Sequence, residues 1–437
     1  MRDETIAIHG GYAADDTRAV AVPIYQTVAH DFVDAQQAGA IFDLEMPGFH
    51  YNRINNPTND VLEQRMAALE GGTGALTLSS GSAAVVHSVL NVASQGCNIV
   101  SAPQLYGATY TLFAHVLPAQ GIEVRFAADD RAESIAPLID ENTRAVFCES
   151  IGNPAGNVVD IAAVAAAAHA RGVPLIVDNT IATPLRLKPI EFGADVVVHS
   201  LTKFVGGHGT TLGGVIVDGG RFPWRRQPER FAIFNQPEPA FHGVVYADEF
   251  PDTAYIVRCR TIGMRNFGAT LSPFNAFLLL QGLESLAVRI ERHEANARLV
   301  ADYLRADPRV EWVSFSGFPD HPYFELSRRY LGGHAISVLT FGVVGGYDAG
   351  LKFFDSVKLL KRLVNLGDAK SLVSHPASTT HRQLSPAELL QVGVRPESVR
   401  LSIGLEHIDD ILEDIDQALT AAHVTVNAAV GAGAHSA

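Results

Sequence analysis

At 437 residues the chain exceeds what one hydrophobic core ordinarily serves, and two domains are expected. Its 47% apolar and 18% charged residues describe a well-packed globular protein. A net charge of −14 excludes nucleic acid and anionic membrane as main partners. Cys97, Cys148 and Cys259 lie far apart with no CxxC pair, so they read as reduced thiols of a cytoplasmic protein. The start, Met1-Arg2-Asp3-Glu4, lacks a signal-peptide pattern, and no apolar run is long enough to cross a bilayer.

Residues 1–70 lack the strand–helix rhythm of the chain beyond them. A segment of this kind docks on something else, here a neighbouring subunit. It carries Tyr51-Asn52-Arg53-Ile54-Asn55-Asn56-Pro57-Thr58, in which the planar fork of Arg53 suits a phosphate. Asn56-Pro57-Thr58-Asn59 offers a turn and a cap, so a helix is expected over 59–70, stopped by Gly71-Gly72.

Residues 71–268 read as the large domain. A strand at 75–78 runs into Ser79-Ser80-Gly81-Ser82, which opens a helix. A small polar loop at a helix N-terminus is a ready anion site, because free N–H groups and the positive dipole end face the anion. Strands are then expected at 98–101, 122–126, 145–148, 174–177 and 196–198. Such βα repetition argues an α/β fold with a largely parallel sheet, whose ligands gather at strand C-terminal ends. Tyr106, Asn153, Asp178, Thr180, Ser200, Thr202 and Lys203 all fall at or just past such ends.

Lysines are scarce: none precedes Lys188, and none separates Lys203 from Lys352. Lys203 comes after the run Val196-Val197-Val198-His199-Ser200-Leu201-Thr202 and faces the Gly-rich stretch Gly206-Gly207-His208-Gly209. A partly buried amine there suits a Schiff base with a carbonyl compound or pyridoxal phosphate. His199, His208, His375 and His381 show no metal-ligand spacing and read as packing or loop residues.

Residues 269–424 read as a smaller C-terminal α/β domain. Periodicity predicts one long helix over 270–305, a strand near 336–342, a helix near 350–364 and a closing helix near 408–422. Residues 425–437 are expected to form a flexible tail.

Together these residues answer the four needs of a pyridoxal phosphate site. Lys203 offers the amine. Ser80, Gly81, Ser82, Ser200 and Thr202 offer the phosphate cradle. Asp178 offers an acid for the pyridine nitrogen, and Tyr106 a ring to stack on the cofactor.

The set YxRxxNPT, SSGSAA, LYGAT, ESIGNP, VDNT, HSLTK and RLSIGLE resembles the Cys/Met-metabolism family of pyridoxal-phosphate enzymes, from His9-Gly10-Gly11 to about Leu419. The resemblance implies fold type I, Lys203 as the Schiff-base residue, Asp178 at the pyridine nitrogen, Tyr106 stacking and Asn153 near the cofactor hydroxyl. It implies Tyr51 and Arg53 reaching the phosphate from a neighbouring subunit, hence a dimer or a homotetramer. It implies Arg400 clamping the substrate α-carboxylate, with Ser371 and Asn153 nearby and Tyr51 or Tyr106 assisting as acid or base. The stretch 367–381 and the insert Phe241-His242-Gly243-Val244-Val245-Tyr246 are similar to O-acetylhomoserine sulfhydrylases. The implied reaction joins O-acetyl-L-homoserine to sulfide or methanethiol. Ser82 and Ala108 stand where other members often carry a different small or polar residue. The alternatives are a cystathionine γ-synthase or γ-lyase, and a non-catalytic scaffold that binds the cofactor.

Overall fold

The computed structural model describes residues 1–152, 156–379, 382, 389 and 395–433, the stretch 425–433 as backbone only. The chain divides into two units. The first comprises Met1–Ser150, Val159–Gly206 and Thr210–Ser285; the second comprises Ile151–Val158, Gly207–Gly209 and the chain from Leu286 onward.

The first unit is built on a seven-stranded sheet. Its strands are β1 (Gly74–Leu78), β2 (Asn98–Ser101), β3 (Glu123–Phe126), β4 (Thr143–Glu149), β5 (Leu175–Asp178), β6 (Val196–Ser200) and β7 (Gly214–Asp218). Their spatial order is β1-β7-β6-β5-β4-β2-β3. Strands β3, β2, β4, β5 and β6 run parallel, as the βα repetition predicts. The departure is β7, which lies antiparallel between β1 and β6. The apolar residues of β4, β5 and β6 are fully buried, as central parallel strands require.

Three helices set the frame: α1 (Asp3–His9), α2 (Ala35–Phe42) and α3 (Pro57–Glu70). The last begins two residues before the expected start, because Asn56 caps it, its Oδ1 accepting from the Thr58 N–H at 2.9 Å. It ends at Gly71, whose φ of +75° a side chain would strain. Leu62, Met66 and Leu69 are wholly buried. This helix therefore belongs to the core of the first unit, and the largely exposed part of the N-terminal region is about 11–55. Then come α4 (Gly81–Leu90) and α5 (Ile161–Ala170).

The helix expected over 270–305 is two helices, α6 (Pro273–Glu284) and α7 (Leu286–Ala306), with Ser285 between them. Helix α6 packs on α3 and α1. Its Gly282 presses on the Val205 carbonyl, where an added Cβ would come within 2.4 Å. The units therefore divide at Ser285 rather than near 268, since the apolar face of α6 is spent on the first unit.

The second unit holds β8 (Val310–Ser314), β9 (Val338–Val343), β10 (Lys361–Arg362), β11 (Leu372–Ser374) and β12 (Ser398–Ser402), ordered β10-β11-β12-β9-β8. Helices α7 and α8 (Gly346–Ser356) pack on this sheet, and α9 (Ile408–Gly433) packs on both of them. Phe341, Phe353, Leu401, Ile411 and Ile415 form the centre of its core. The closing helix outruns the expected 408–422 and continues to Gly433. Of the expected tail, 434–437 lie outside the described residues. No helix among the described residues is long and apolar enough to cross a membrane.

Candidate active site

The loop from β1 to α4 presents a helix N-terminus that could hold an anion. Ser80 caps α4, its hydroxyl oxygen accepting from the Ala83 N–H at 3.1 Å. The amides of Gly81 and Ser82 lie in the first turn, which has no intrahelical acceptor. Gly81 touches the end of β6 so closely that a Cβ there would fall 2.5 Å from the Ser200 Cβ and 2.8 Å from its Cα. The glycine thus brings amides and the Ser200 hydroxyl to one spot. Gly81→Ala is expected to lower cofactor affinity by forcing these groups apart, measured by titrating the apo-protein; unaltered affinity would remove the cradle from the account.

The C-terminal ends of β4, β5 and β6 carry the rest. Glu149 pairs in register with Asp178, and Asp178 with Val198, so Glu149 and Asp178 share one face of the sheet. Thr180 donates its N–H and hydroxyl to Asp178 Oδ1 at 3.0 and 2.5 Å, and its Oγ1 accepts from the Ser200 N–H at 2.8 Å. Thr202 accepts the Gly213 N–H at 3.1 Å. Lys203 closes this turn, its N–H donating to the Ser200 carbonyl at 3.2 Å, and is half-buried. Ser80, Gly81, Asp178, Thr180, Ser200, Thr202 and Lys203 are thereby linked through direct contacts or short turns.

Burial raises the Asp178 carboxyl above its ordinary value, while the Thr180 donors and then the electrostatic influence of His199 and Lys203 pull it back down. Glu149 is raised well above the usual carboxylate range, first by burial and then by Asp178; only the Tyr106 N–H opposes this. Of the two, Asp178 has more groups opposing the rise, the two Thr180 donors and the nearby Lys203 among them. Tyr106 stands half-exposed past β2, with its N–H 2.5 Å from Glu149 Oε1.

Sequence reasoning does not single out the alternate residues Ser150, Asn179 and His199 as a group, although they point together to the opposite face. Glu70, at the end of α3, accepts from His199 Nε2 at 2.6 Å and from the Asn179 amide at 3.0 Å. The Ser150 hydroxyl donates to Asn179 at 2.9 Å. His199 is therefore a packing and hydrogen-bonding residue, as its lack of metal spacing suggests. The available signal is strand alternation, which puts 149 and 178 on one side and 150, 179 and 199 on the other.

In the second unit Arg400 is buried on β12, one of its guanidinium nitrogens donating to the Asn365 carbonyl at 3.1 Å. Ser371 lies just before β11. Its N–H and hydroxyl both donate to Glu406, at 2.6 and 2.8 Å, and its oxygen accepts from the Gly404 N–H at 2.9 Å. Both donors of Ser371 are thus taken by Glu406, the last residue of the RLSIGLE motif, to which its sequence position alone gives no role. Tyr51 is half-exposed, and Arg53 sits 5.3 Å over its ring while donating to the Arg265 carbonyl. Asn153 lies outside the described residues.

The residues fit pyridoxal phosphate. A glycine cradle that a Cβ would close, an acid braced by two donors and a half-buried lysine gather at the C-terminal ends of β5 and β6. Comparison with known proteins agrees. The model of the family "Cys/Met metabolism PLP-dependent enzyme" matches residues 4–420, and the chain belongs to that family. A homocysteine synthase of Schizosaccharomyces pombe is 48% identical over 96% of this chain and 98% of its own. O-acetyl-L-homoserine sulfhydrylase 1 of Thermus thermophilus is 46% identical over 96% of this chain and 100% of its own. A crystal structure of metY from Campylobacter jejuni, carrying N′-pyridoxyl-lysine-5′-monophosphate, superposes with a TM-score of 0.93 at 41% identity, covering 96% of this chain and 100% of that one. The fold is that of these pyridoxal-phosphate enzymes, a large mostly parallel sheet followed by a smaller C-terminal one.

Proposed function

We propose that this enzyme replaces the acetyl ester of O-acetyl-L-homoserine with sulfide, releasing L-homocysteine and acetate in methionine biosynthesis. The observation that carries the reading is the joining of Lys203, Asp178 and the Gly81–Ser200 cradle at the C-terminal ends of β5 and β6. Full-length relatives named for this sulfhydrylase or synthase activity support the choice within the family. Bound pyridoxal phosphate supplies an electron sink for negative charge developing on the substrate α-carbon.

The chain's own groups do the remaining work. Lys203 would hold the cofactor aldehyde, and its amine, when free, would take the substrate α-proton and move a proton at Cβ, so that acetate departs from Cγ. Sulfide adds at Cγ, and the protons return. Asp178 would hold the proton on the cofactor's pyridine nitrogen, and Tyr106 would support its ring. Arg400 grips the α-carboxylate through its planar fork. With Ser371 engaged by Glu406, its part in that grip is to shape the backbone around it. Asn153 is assigned to the cofactor hydroxyl.

Tyr51 and Arg53 are assigned to the phosphate of a second subunit, with Tyr51 or Tyr106 as the auxiliary acid–base. The supporting observation is the apolar surface of the N-terminal region, where Val20, Val28, Val33 and Phe42 are exposed. The assembly is a homotetramer built from dimers, testable by native mass spectrometry. Free cysteines support a cytoplasmic location. Methanethiol is the second acceptor, giving methionine.

Arg400→Ala is expected to cost about 2–5 kcal/mol in substrate binding, a KM rise of at least ~30-fold. An unchanged KM removes the clamp. The reading as a whole is tested by following O-acetyl-L-homoserine with sulfide: homocysteine and acetate must appear in equal amounts.

A further inference from the structure

Glu149 is a buried acid to which the proposed reaction gives no task. It is 6% exposed, and the influences on it are burial, Asp178 and the Tyr106 N–H, none of them a cation. A buried carboxylate without a partner is costly, more so beside a second acid. It nevertheless occupies the end of β4, in register with Asp178 on the neighbouring strand, with the Tyr106 amide 2.5 Å from its Oε1. One side chain thus joins the two residues assigned to opposite sides of the cofactor, the acid at its ring nitrogen and the ring above its face.

We propose that Glu149 is a positioning residue that acts as a neutral carboxylic acid, fixing the Tyr106 backbone while leaving Asp178 the sole negative charge at the pyridine nitrogen. An ionised Glu149 would share its field with Asp178 and weaken the match between one carboxylate and one pyridinium. A neutral one keeps an acceptor for the Tyr106 N–H at no such cost. The burial that raises Glu149 agrees with this division of labour. The inference rests on the assignment of Lys203, Asp178 and Tyr106 to cofactor binding.

The test uses the holoenzyme with Glu149→Ala and Glu149→Gln. Loss of the acceptor in Glu149→Ala lets the Tyr106 segment shift, and kcat falls ~10²-fold, the cost of about 1 Å of misplacement, while KM for the amino-acid substrate changes little. Glutamine carries the same acceptor oxygen without charge at any pH, so Glu149→Gln recovers most of that loss. Its visible absorption against pH overlays that of the unsubstituted holoenzyme. A Glu149→Gln variant as impaired as Glu149→Ala overturns the neutral role, and a Glu149→Ala variant with normal kcat overturns the positioning role. Should Glu149→Ala fail to fold, Glu149→Gln alone decides, through its kcat and its absorption profile. Borohydride reduction and peptide mass spectrometry separate the two levels. Cofactor trapped on Lys203 together with a failed rescue sinks only the inference about Glu149. Cofactor absent from Lys203 sinks the underlying reading.

Discussion

Lys203→Ala is expected to abolish turnover, a loss greater than ~10⁴-fold, since one amine both anchors the cofactor and performs two proton transfers, each worth about 10²–10⁴. The fold should survive: Lys203 is half-buried in a turn whose hydrogen bonds are made by backbone atoms of Ser200, Leu201, Lys203 and Gly206. The variant should therefore melt near the parent temperature and bind pyridoxal phosphate reversibly through the cradle, yet yield no borohydride-fixed adduct. Steady turnover in Lys203→Ala would place the chemistry on another residue, and the proposed mechanism would be lost.

Asp178→Asn is the second large effect. An amide keeps the shape and one oxygen for the Thr180 donors but cannot carry the charge that holds a proton on the pyridine nitrogen. The drop in kcat is expected to be about 10²–10³-fold, the scale on which a single fixed electrostatic partner acts in a water-poor site. KM should move little, and the cofactor should still be trapped on Lys203. The measurement is steady-state kinetics together with the primary isotope effect of α-deuterated substrate, which should grow as proton abstraction becomes limiting. A near-normal rate would take Asp178 out of the site.

Both predictions concern residues that pattern reading locates, and the reason is physical. Central parallel strands are short β-branched runs, and their polar C-terminal residues stand out against them, as Asp178-Asn179-Thr180 and His199-Ser200 do. The same pattern locates Gly81, whose lack of a side chain is required by contact with Ser200. Other features depend on partners far away in the chain. Strand β7, Gly214–Asp218, is a plain apolar run bounded by glycines; its antiparallel place between β1 and β6 is set by pairing with both. The break at Ser285 leaves no clear mark in the helical period, because what separates α6 from α7 is the surface each one covers. Glu70 reads as the last residue of an amphipathic helix; its task under the sheet emerges only when His199 and Asn179 arrive beside it. Glu149 and Glu406 are similar: each serves as an acceptor for a residue distant in sequence, Tyr106 in one unit and Ser371 in the other.

The most direct measurement is a product assay on the purified holoenzyme. O-acetyl- and O-succinyl-L-homoserine are each offered with sulfide, methanethiol or cysteine, and the products are identified by mass spectrometry. The account predicts homocysteine from the acetyl ester and sulfide as the fastest pairing, with one acetate released per thiol formed. Cystathionine from cysteine as the dominant product, or no product from the acetyl ester and sulfide with cofactor demonstrably on Lys203, would contradict it.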